Sequence, residues 1–304
     1  MSGSKTSWGG RTQQERALIA RLERLDGPRI DELTFRKQSH NAVVYHGVMN
    51  GAPVFVKEYE TDYGRRLVEK AVEETEVVLA HFEGRSGGIA RIEWANSEAK
   101  IVVMSQVLGR KLMQAAQGHE GYSVFTQVAQ WLKDYVGPRV EVDKYPTRYW
   151  YKKRMKADLD QLNDEDQALV VELLALQRIR ATGPIVMKSG RVPSDFAPHN
   201  LHCAEDEIFG FDIEGNSRQP LARAAVWFAI LASRRIEVVG ERRFGLPSQC
   251  IVPFMEVLDV GVDDDQLWQY LVADLMFARF TERYEDERTR TTLRAAIISH
   301  LETS

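Results

Sequence analysis

The dominant hydrophobic period of this chain shifts from strand-like to helical near residue 108, and that shift limits it to a mixed architecture of two unlike parts. Upstream, apolar residues mostly alternate with polar ones. Residues 33–35 and 43–45 read as strands, Asn50 and Gly51 as a two-residue hairpin turn, and residues 53–57 as the returning strand. Two more strands are expected at 90–94 and 101–105, joined by a turn at 96–98. One helix interrupts them at 67–82, with Ala71, Val72, Thr75, Val78, Leu79 and Phe82 on one face. An earlier helix, 13–25, is stopped by Gly27 and Pro28. Beyond residue 110 the spacing turns helical at 123–135, 149–162, 165–179, 220–237 and 266–283, with a strand-like island at 201–213. The expected fold class is α+β and bilobal. Residues 1–28 form a leader and helix, 29–107 a β-rich lobe with a small antiparallel sheet, and 108–304 a larger, mainly helical lobe.

Charge and composition remove several function classes. Forty Lys and Arg stand against 44 Asp and Glu, a net charge of −4, so no basic excess exists to hold a nucleic-acid backbone. Two cysteines, Cys203 and Cys250, cannot build a disulfide framework or a four-thiolate zinc site. No stretch approaches the ~20 apolar residues of a membrane helix. The first ten residues lack the apolar core of a secretory signal, so the expectation is a cytoplasmic protein with no integral membrane segment.

The chemistry concentrates in residues 194–214. Asn200 follows Asp195 by five positions, and Asp212 lies twelve further on, after a short hairpin pattern. Phosphoryl transfer from ATP needs a carboxylate to orient the attacking hydroxyl and oxygen ligands to hold Mg²⁺ against the phosphates. Asp195 fits the first task, and Asn200 and Asp212 the second. The β-rich part offers the remainder. Lys57 ends an apolar strand after an Asn-Gly turn, as a lysine gripping the α- and β-phosphates should. The following helix carries Glu73, Glu74 and Glu76; Glu74, beside the apolar stripe, is the expected partner of that lysine, with Glu76 in reserve. Ser39 and Asn41 occupy the loop where a phosphate-covering turn belongs. Met104 ends the strand that leads into a linker, residues 106–108, whose backbone would meet adenine, with Gln106 and Leu108 at its ends.

Together these residues resemble the aminoglycoside phosphotransferase and choline kinase branch of the protein-kinase-like superfamily. The likeness rests on Asp195, Asn200 and the run Asp212, Ile213, Glu214 in the second part, and on Ser39, Asn41, Lys57, Met104 and Gly109 in the first. It spans about residues 33–235. It implies a bilobal kinase-like fold, ATP and Mg²⁺ as cofactors, and transfer of the γ-phosphoryl group to a small-molecule hydroxyl such as an aminoglycoside, choline or sugar. The chain departs from the family pattern in two places: the further aspartate that normally precedes a Leu-Ala pair after Asp212 has no counterpart near residues 220–223, and the turn before Asp195 is altered. The family's usual histidine and glycine ahead of the catalytic aspartate are Pro193 and Ser194 here, which motivates an alternative: a kinase-like protein that binds nucleotide or a partner with weak or no catalysis.

Other signals have plainer readings. His199, His202 and Cys203 lack a further ligand at zinc spacing. No G-x-S-x-G elbow, phosphate loop of the G-x-x-x-x-G-K type or dinucleotide fingerprint occurs. The aromatic and basic run at 145–154 reads as the amphipathic start of a helix, with contact to an anionic substrate as the other option.

Overall fold

The structure, a computed structural model, describes residues 12–117, 120–180, 183–211, 216–236, 240–258 and 265–303. The chain divides into two compact units: residues up to 79 together with 89–107, and residues 80–88 together with 108 onward.

The first unit holds α1 (Gln13–Arg24), β1 (Asp31–Gln38), β2 (Ala42–Met49), β3 (Ala52–Tyr59), most of α2 (Gly64–His81), the start of the unit's return at β4 (Gly88–Ile89), β5 (Ile92–Asn96) and β6 (Ile101–Ser105). Its five-stranded antiparallel sheet has the order β1-β2-β3-β6-β5. Asn50 and Gly51 both take positive φ, 52° and 79°, which is the backbone a two-residue hairpin requires. Alternation sends Val54, Val56, Ile101 and Val103 to one face, where Leu18 and Leu22 of α1 pack on them. Burial of each such side chain contributes about 1.5–3 kcal/mol relative to exposure. Thr12 caps α1 in a reciprocal box with Glu15, and Arg21 ties the helix to Glu58 of β3. The opposite face of the sheet carries Ala42, Tyr59 and Val102, and α2 covers it with Val68.

The second unit contains β7 (Arg110–Lys111), α3 (Leu112–Ala115), α4 (Gly121–Val136), β8 (Glu141–Tyr145), α5 (Thr147–Arg154), α6 (Asp164–Arg180), β9 (Ile185–Pro193), β10 (Leu201–Ala204), β11 (Glu207–Gly210) and β12 (Asn216–Pro220). It continues through α7 (Leu221–Ser233), β13 (Arg242–Arg243), β14 (Leu246–Pro247), α8 (Ser248–Leu258), α9 (Asp265–Glu282) and α10 (Glu287–Glu302). Its centre is helical: Phe125 of α4, Phe228 of α7, Phe254 of α8 and Trp268, Tyr270 and Phe277 of α9 are all fully buried.

Two features differ from the sequence expectation. The helix expected over 149–162 ends at Arg154: the basic Lys152, Lys153 and Arg154 close its last turn, and soon after it Asp158 accepts the Asp160 N–H in a tight turn. A three-stranded sheet, β12-β9-β8, also appears where helical spacing was expected to dominate. Gly190 makes room for Val136 of α4 against β9, where a Cβ would stand 2.4 Å from the Val136 side chain. Arg218 of β12 reaches across to Glu141 and Asp143 of β8, at 2.7 and 2.9 Å. Its hydrogen bonds hold both carboxyls below their ordinary pKa.

Candidate active site

In the first unit the candidate residues lie on and around the α2 side of the sheet. Lys57 stands opposite Val44 of β2 and Val102 of β6, so alternation turns it to the face that α2 covers. Its Nζ is 5.3 Å from the centroid of the Tyr59 ring. Along α2 the buried stripe runs Val68, Ala71, Glu74, Thr75 and Val78. Glu74 is thus a carboxylate within an apolar stripe, 7% exposed, with Lys70 Nζ 3.5 Å from its Oε1. Glu73 and Glu76 are both exposed. Met104 packs with Ala42, Tyr59, Val68 and Val102 on the same face.

The β1–β2 turn is held by its own hydroxyl. Ser39 Oγ donates to the Ala42 carbonyl and accepts the N–H groups of Asn41 and Ala42, while Asn41 Oδ1 accepts from the Tyr63 hydroxyl at 2.9 Å. After β6, the Gln106 N–H donates to the Pro53 carbonyl, and its side-chain Oε1 lies 2.9 Å from His46 Nε2. Leu108, where the chain enters the second unit for good, is 63% exposed.

In the second unit the geometry grows out of β9 and the β10–β11 hairpin. Pro193 ends β9 against Asn216 of β12, and the chain turns at Ser194 and Asp195. Phe196 anchors the turn: its ring lies parallel to Trp131 of α4 at 6.0 Å and stacks on Phe228 at 4.7 Å. A short 3₁₀ turn, Pro198–Asn200, then brings Asn200 back under Asp195. Asn200 Nδ2 donates both to the Asp195 backbone carbonyl, at 3.0 Å, and to its carboxylate Oδ2, at 3.1 Å. His199 Nε2 lies 3.3 Å from the same Oδ2. Asn200 is buried at 5% exposure, whereas the Asp195 side chain is open to solvent.

The hairpin pairs Leu201 with Gly210 and His202 with Phe209, and the Phe211 N–H donates to the Asn200 carbonyl. Glycines allow the close contacts behind it. A Cβ on Gly210 would stand 2.4 Å from the Trp131 ring, and one on Gly109, at φ 113°, would stand 2.5 Å from the Cys203 carbonyl. Asp212, the second expected metal ligand, lies outside the described residues. Among the described residues, no group of three or more His, Cys, Asp or Glu is placed to hold a metal ion.

Beside Asp195 opens a cavity of about 400 Å³, lined among others by Trp150, Ser194, Asp195, Arg223, Trp227 and Glu282. Sequence reasoning missed Arg223 and Trp227, which sit in an apolar helix with nothing local to mark them. It treated Trp150 chiefly as part of a helix start. The only sequence signal for Trp150 is the basic and aromatic run ending at Arg154.

No family model matches the chain, and no curated protein does. Solved structures do, over more than nine-tenths of the chain and at low identity. The GDP complex of an aminoglycoside 2′-phosphotransferase superposes with a TM-score of 0.60 at 11% identity, over 96% of this chain and 99% of that one. A macrolide 2′-phosphotransferase from Brachybacterium faecium gives 0.59 at 10% identity, over 94% and 98%. A choline kinase from Streptococcus pneumoniae gives 0.52 at 12%, over 96% and 100%. The fold is the bilobal, protein-kinase-like one. In this kinase-like fold, the second unit presents a solvent-open carboxylate, fixed from below by a buried amide, at the edge of a cavity large enough for a small molecule. Such a carboxylate can accept a proton from a hydroxyl brought within hydrogen-bond reach. No helix among the described residues is long and apolar enough to cross a membrane.

Proposed function

We propose that the protein transfers the γ-phosphoryl group of ATP to a hydroxyl of a small molecule. The acceptor oxygen attacks the γ-phosphorus, the bond to the β-bridging oxygen breaks, ADP leaves, and the hydroxyl proton passes to the Asp195 carboxylate. The observation that carries this reading is the double hydrogen bond from Asn200 Nδ2 to Asp195, at the edge of an open cavity. It orients the carboxylate and commits the Asn200 amide nitrogen, so the group left for other ligands is the Oδ1 oxygen. A hard oxygen donor of that kind suits Mg²⁺, and Asn200 and Asp212 are the residues proposed to hold it. When bound, the ion would offset the charge on the phosphates.

In the first unit, Lys57 would pair with the α- and β-phosphates, steadied by Glu74 from the buried stripe of α2. Ser39 and Asn41 would border the phosphates from the turn that the Ser39 hydroxyl holds in shape. Met104 and the segment from Gln106 to Leu108 would border adenine. The solved neighbours, named as phosphotransferases of aminoglycosides and macrolides and a choline kinase, support the reaction class at the level of fold.

The test is calorimetric titration of Mg²⁺-ATP, and of Mg²⁺-GTP in parallel, into the full chain and its Lys57→Ala and Asp212→Ala variants. Binding by wild type with loss in both variants is the expected outcome. No binding by wild type at about millimolar nucleotide would overturn the proposal. Binding without phosphate transfer to any hydroxyl compound would favour the nucleotide-binding alternative that Pro193 and Ser194 suggest.

A further inference from the structure

We infer that the acceptor carries a negative charge, a carboxylate or a phosphate, which seats against Arg223 and Lys153 while its hydroxyl faces Asp195. The reaction rests on the phosphotransferase reading above; the charge of the ligand rests on the cavity alone.

Both indoles in the cavity wall are already used by cations of the protein. Lys153 Nζ lies 5.0 Å from the Trp150 ring centroid, and the guanidinium carbons of Arg154 and Arg223 each lie 5.6 Å from it. The Arg279 guanidinium sits 5.5 Å from the ring of Trp227. A ligand ammonium is held by a free aromatic face and nearby carboxylates. Here it would meet rings already engaged and like charges around them, at a cost that grows as water is excluded. A quaternary ammonium or an amino sugar is therefore a poor occupant.

The cations are not equally balanced. Arg154 is neutralised by the fully buried Asp274, with Nε to Oδ1 at 2.8 Å and Nη2 to Oδ2 at 3.1 Å. Arg223 has no such partner. Its Nη1 donates to the amide oxygen of Gln219 at 3.0 Å, its Nε is buried without a hydrogen bond, and no carboxylate among the described residues lies within 4 Å. Burial keeps the neighbouring Tyr145 phenol neutral, so it supplies no counter-charge. Lys153 likewise has no carboxylate within 4 Å among the described residues. On the acidic side, Asp195 is the base of the proposed reaction. Glu282 is exposed, and its charge acts on Arg154 and Arg279. Burial foremost pushes the Arg279 guanidinium below its ordinary pKa; Arg234 and Arg283 act in the same sense, and Glu282 and Asp286 oppose them. A planar guanidinium with no carboxylate partner, in the same cavity wall as an exposed lysine, is a receptor for a carboxylate or phosphate.

The test combines acceptor binding without nucleotide, read by tryptophan emission, with ADP release in the presence of Mg²⁺-ATP. The probes are D-gluconate and D-glucose 6-phosphate as the two anionic arms, D-glucose as the neutral arm, and choline and kanamycin as the cationic arm. At least one anionic probe is expected to bind and change the emission, with weaker binding at higher salt. Arg223→Gln should weaken that binding at least tenfold, Arg223→Lys should recover part of it, and Lys153→Gln, at an exposed position, should weaken it severalfold. Gluconate responding alone assigns the carboxylate, and glucose 6-phosphate responding alone assigns the phosphate. The inference is overturned if neither anionic probe binds, if binding ignores both Arg223→Gln and Lys153→Gln, or if choline or kanamycin is the preferred acceptor. Phosphoryl transfer to a cationic probe would sink this inference and leave the phosphotransferase reading intact. Arg223-dependent anion binding in a protein that fails to bind ATP would do the reverse.

Discussion

Asn200 holds Asp195 twice, through the backbone carbonyl at 3.0 Å and the carboxylate at 3.1 Å, from a single amide nitrogen. The five-residue spacing makes this possible because the chain between them is pinned at Phe196 and turned by Pro198–Asn200. The buried member of the pair is the amide, and the exposed member is the acid. Structural support and reactive group are thus separated between two side chains, which lets substitutions tell them apart.

Asp195→Asn is expected to lower kcat by about 10²–10⁴, because the proton acceptor is lost, while the melting midpoint and nucleotide affinity stay near wild type. Asn200→Ala should lower kcat and the melting midpoint together, since it removes a buried donor worth about 1–3 kcal/mol. Steady-state kinetics and thermal melts on the two variants check this. Equal effects on stability would contradict the division of labour.

Lys57→Ala is expected to weaken Mg²⁺-ATP binding at least tenfold with little change in stability, whereas Glu74→Gln should weaken it less. Glu76→Gln, on the exposed side of α2, should change nothing. Calorimetry on the three variants reads the order directly. An effect of Glu76→Gln equal to that of Glu74→Gln would remove Glu74 from its proposed role.

The parts of this architecture that were legible beforehand are those where local pattern and tertiary need coincide. The Asn50–Gly51 turn, the alternating strand that carries Lys57 and the helix stripe through Glu74 each carry their own period. The strand β12 does not. Its residues Asn216, Ser217, Arg218, Gln219 and Pro220 lack any apolar alternation, and they extend because β9 offers a ladder and β8 offers two carboxylates to Arg218. Arg223 was illegible for a similar reason. Nothing in its helix distinguishes it, and its meaning comes from Trp150, a residue distant in sequence. Asp195 and Asn200 were legible only as a spacing, and the direction of the hydrogen bonds between them is a result of folding.

The Arg154–Asp274 pair joins α5 to α9 with both members nearly or wholly buried, at 10% and 0% side-chain exposure. Burial opposes the charge on Arg154, yet the hydrogen bonds and charge of Asp274 hold its guanidinium above the ordinary range. Removing one partner leaves a buried charge alone, so Asp274→Ala is expected to cost about 3–5 kcal/mol in a urea unfolding curve. Replacing both, Arg154→Met with Asp274→Leu, should recover most of that loss. A single variant that unfolds within about 1 kcal/mol of wild type would show that the pair is solvated after all.

His300, fully buried on α10, should set the acid limit of stability. Its Nδ1 donates to the Phe244 carbonyl at 3.0 Å, which leaves Nε2 as the acceptor facing Arg180 Nη1 at 3.4 Å. A proton on Nε2 would be buried against a guanidinium, and burial foremost lowers the imidazole from 6.5 to about 4. The unfolded chain therefore binds the proton over that interval while the folded chain does not. The contribution is fully present above about pH 6.5 and is lost as pH falls toward 4, amounting to about 3 kcal/mol across the window. Urea midpoints measured from pH 7.5 to 4 should fall accordingly in wild type. His300→Gln keeps a donor for Phe244 but has no proton to gain, so its curve should be flatter between pH 6.5 and 4 whatever its absolute stability. An equal slope in the variant would assign the acid sensitivity to the carboxylates instead.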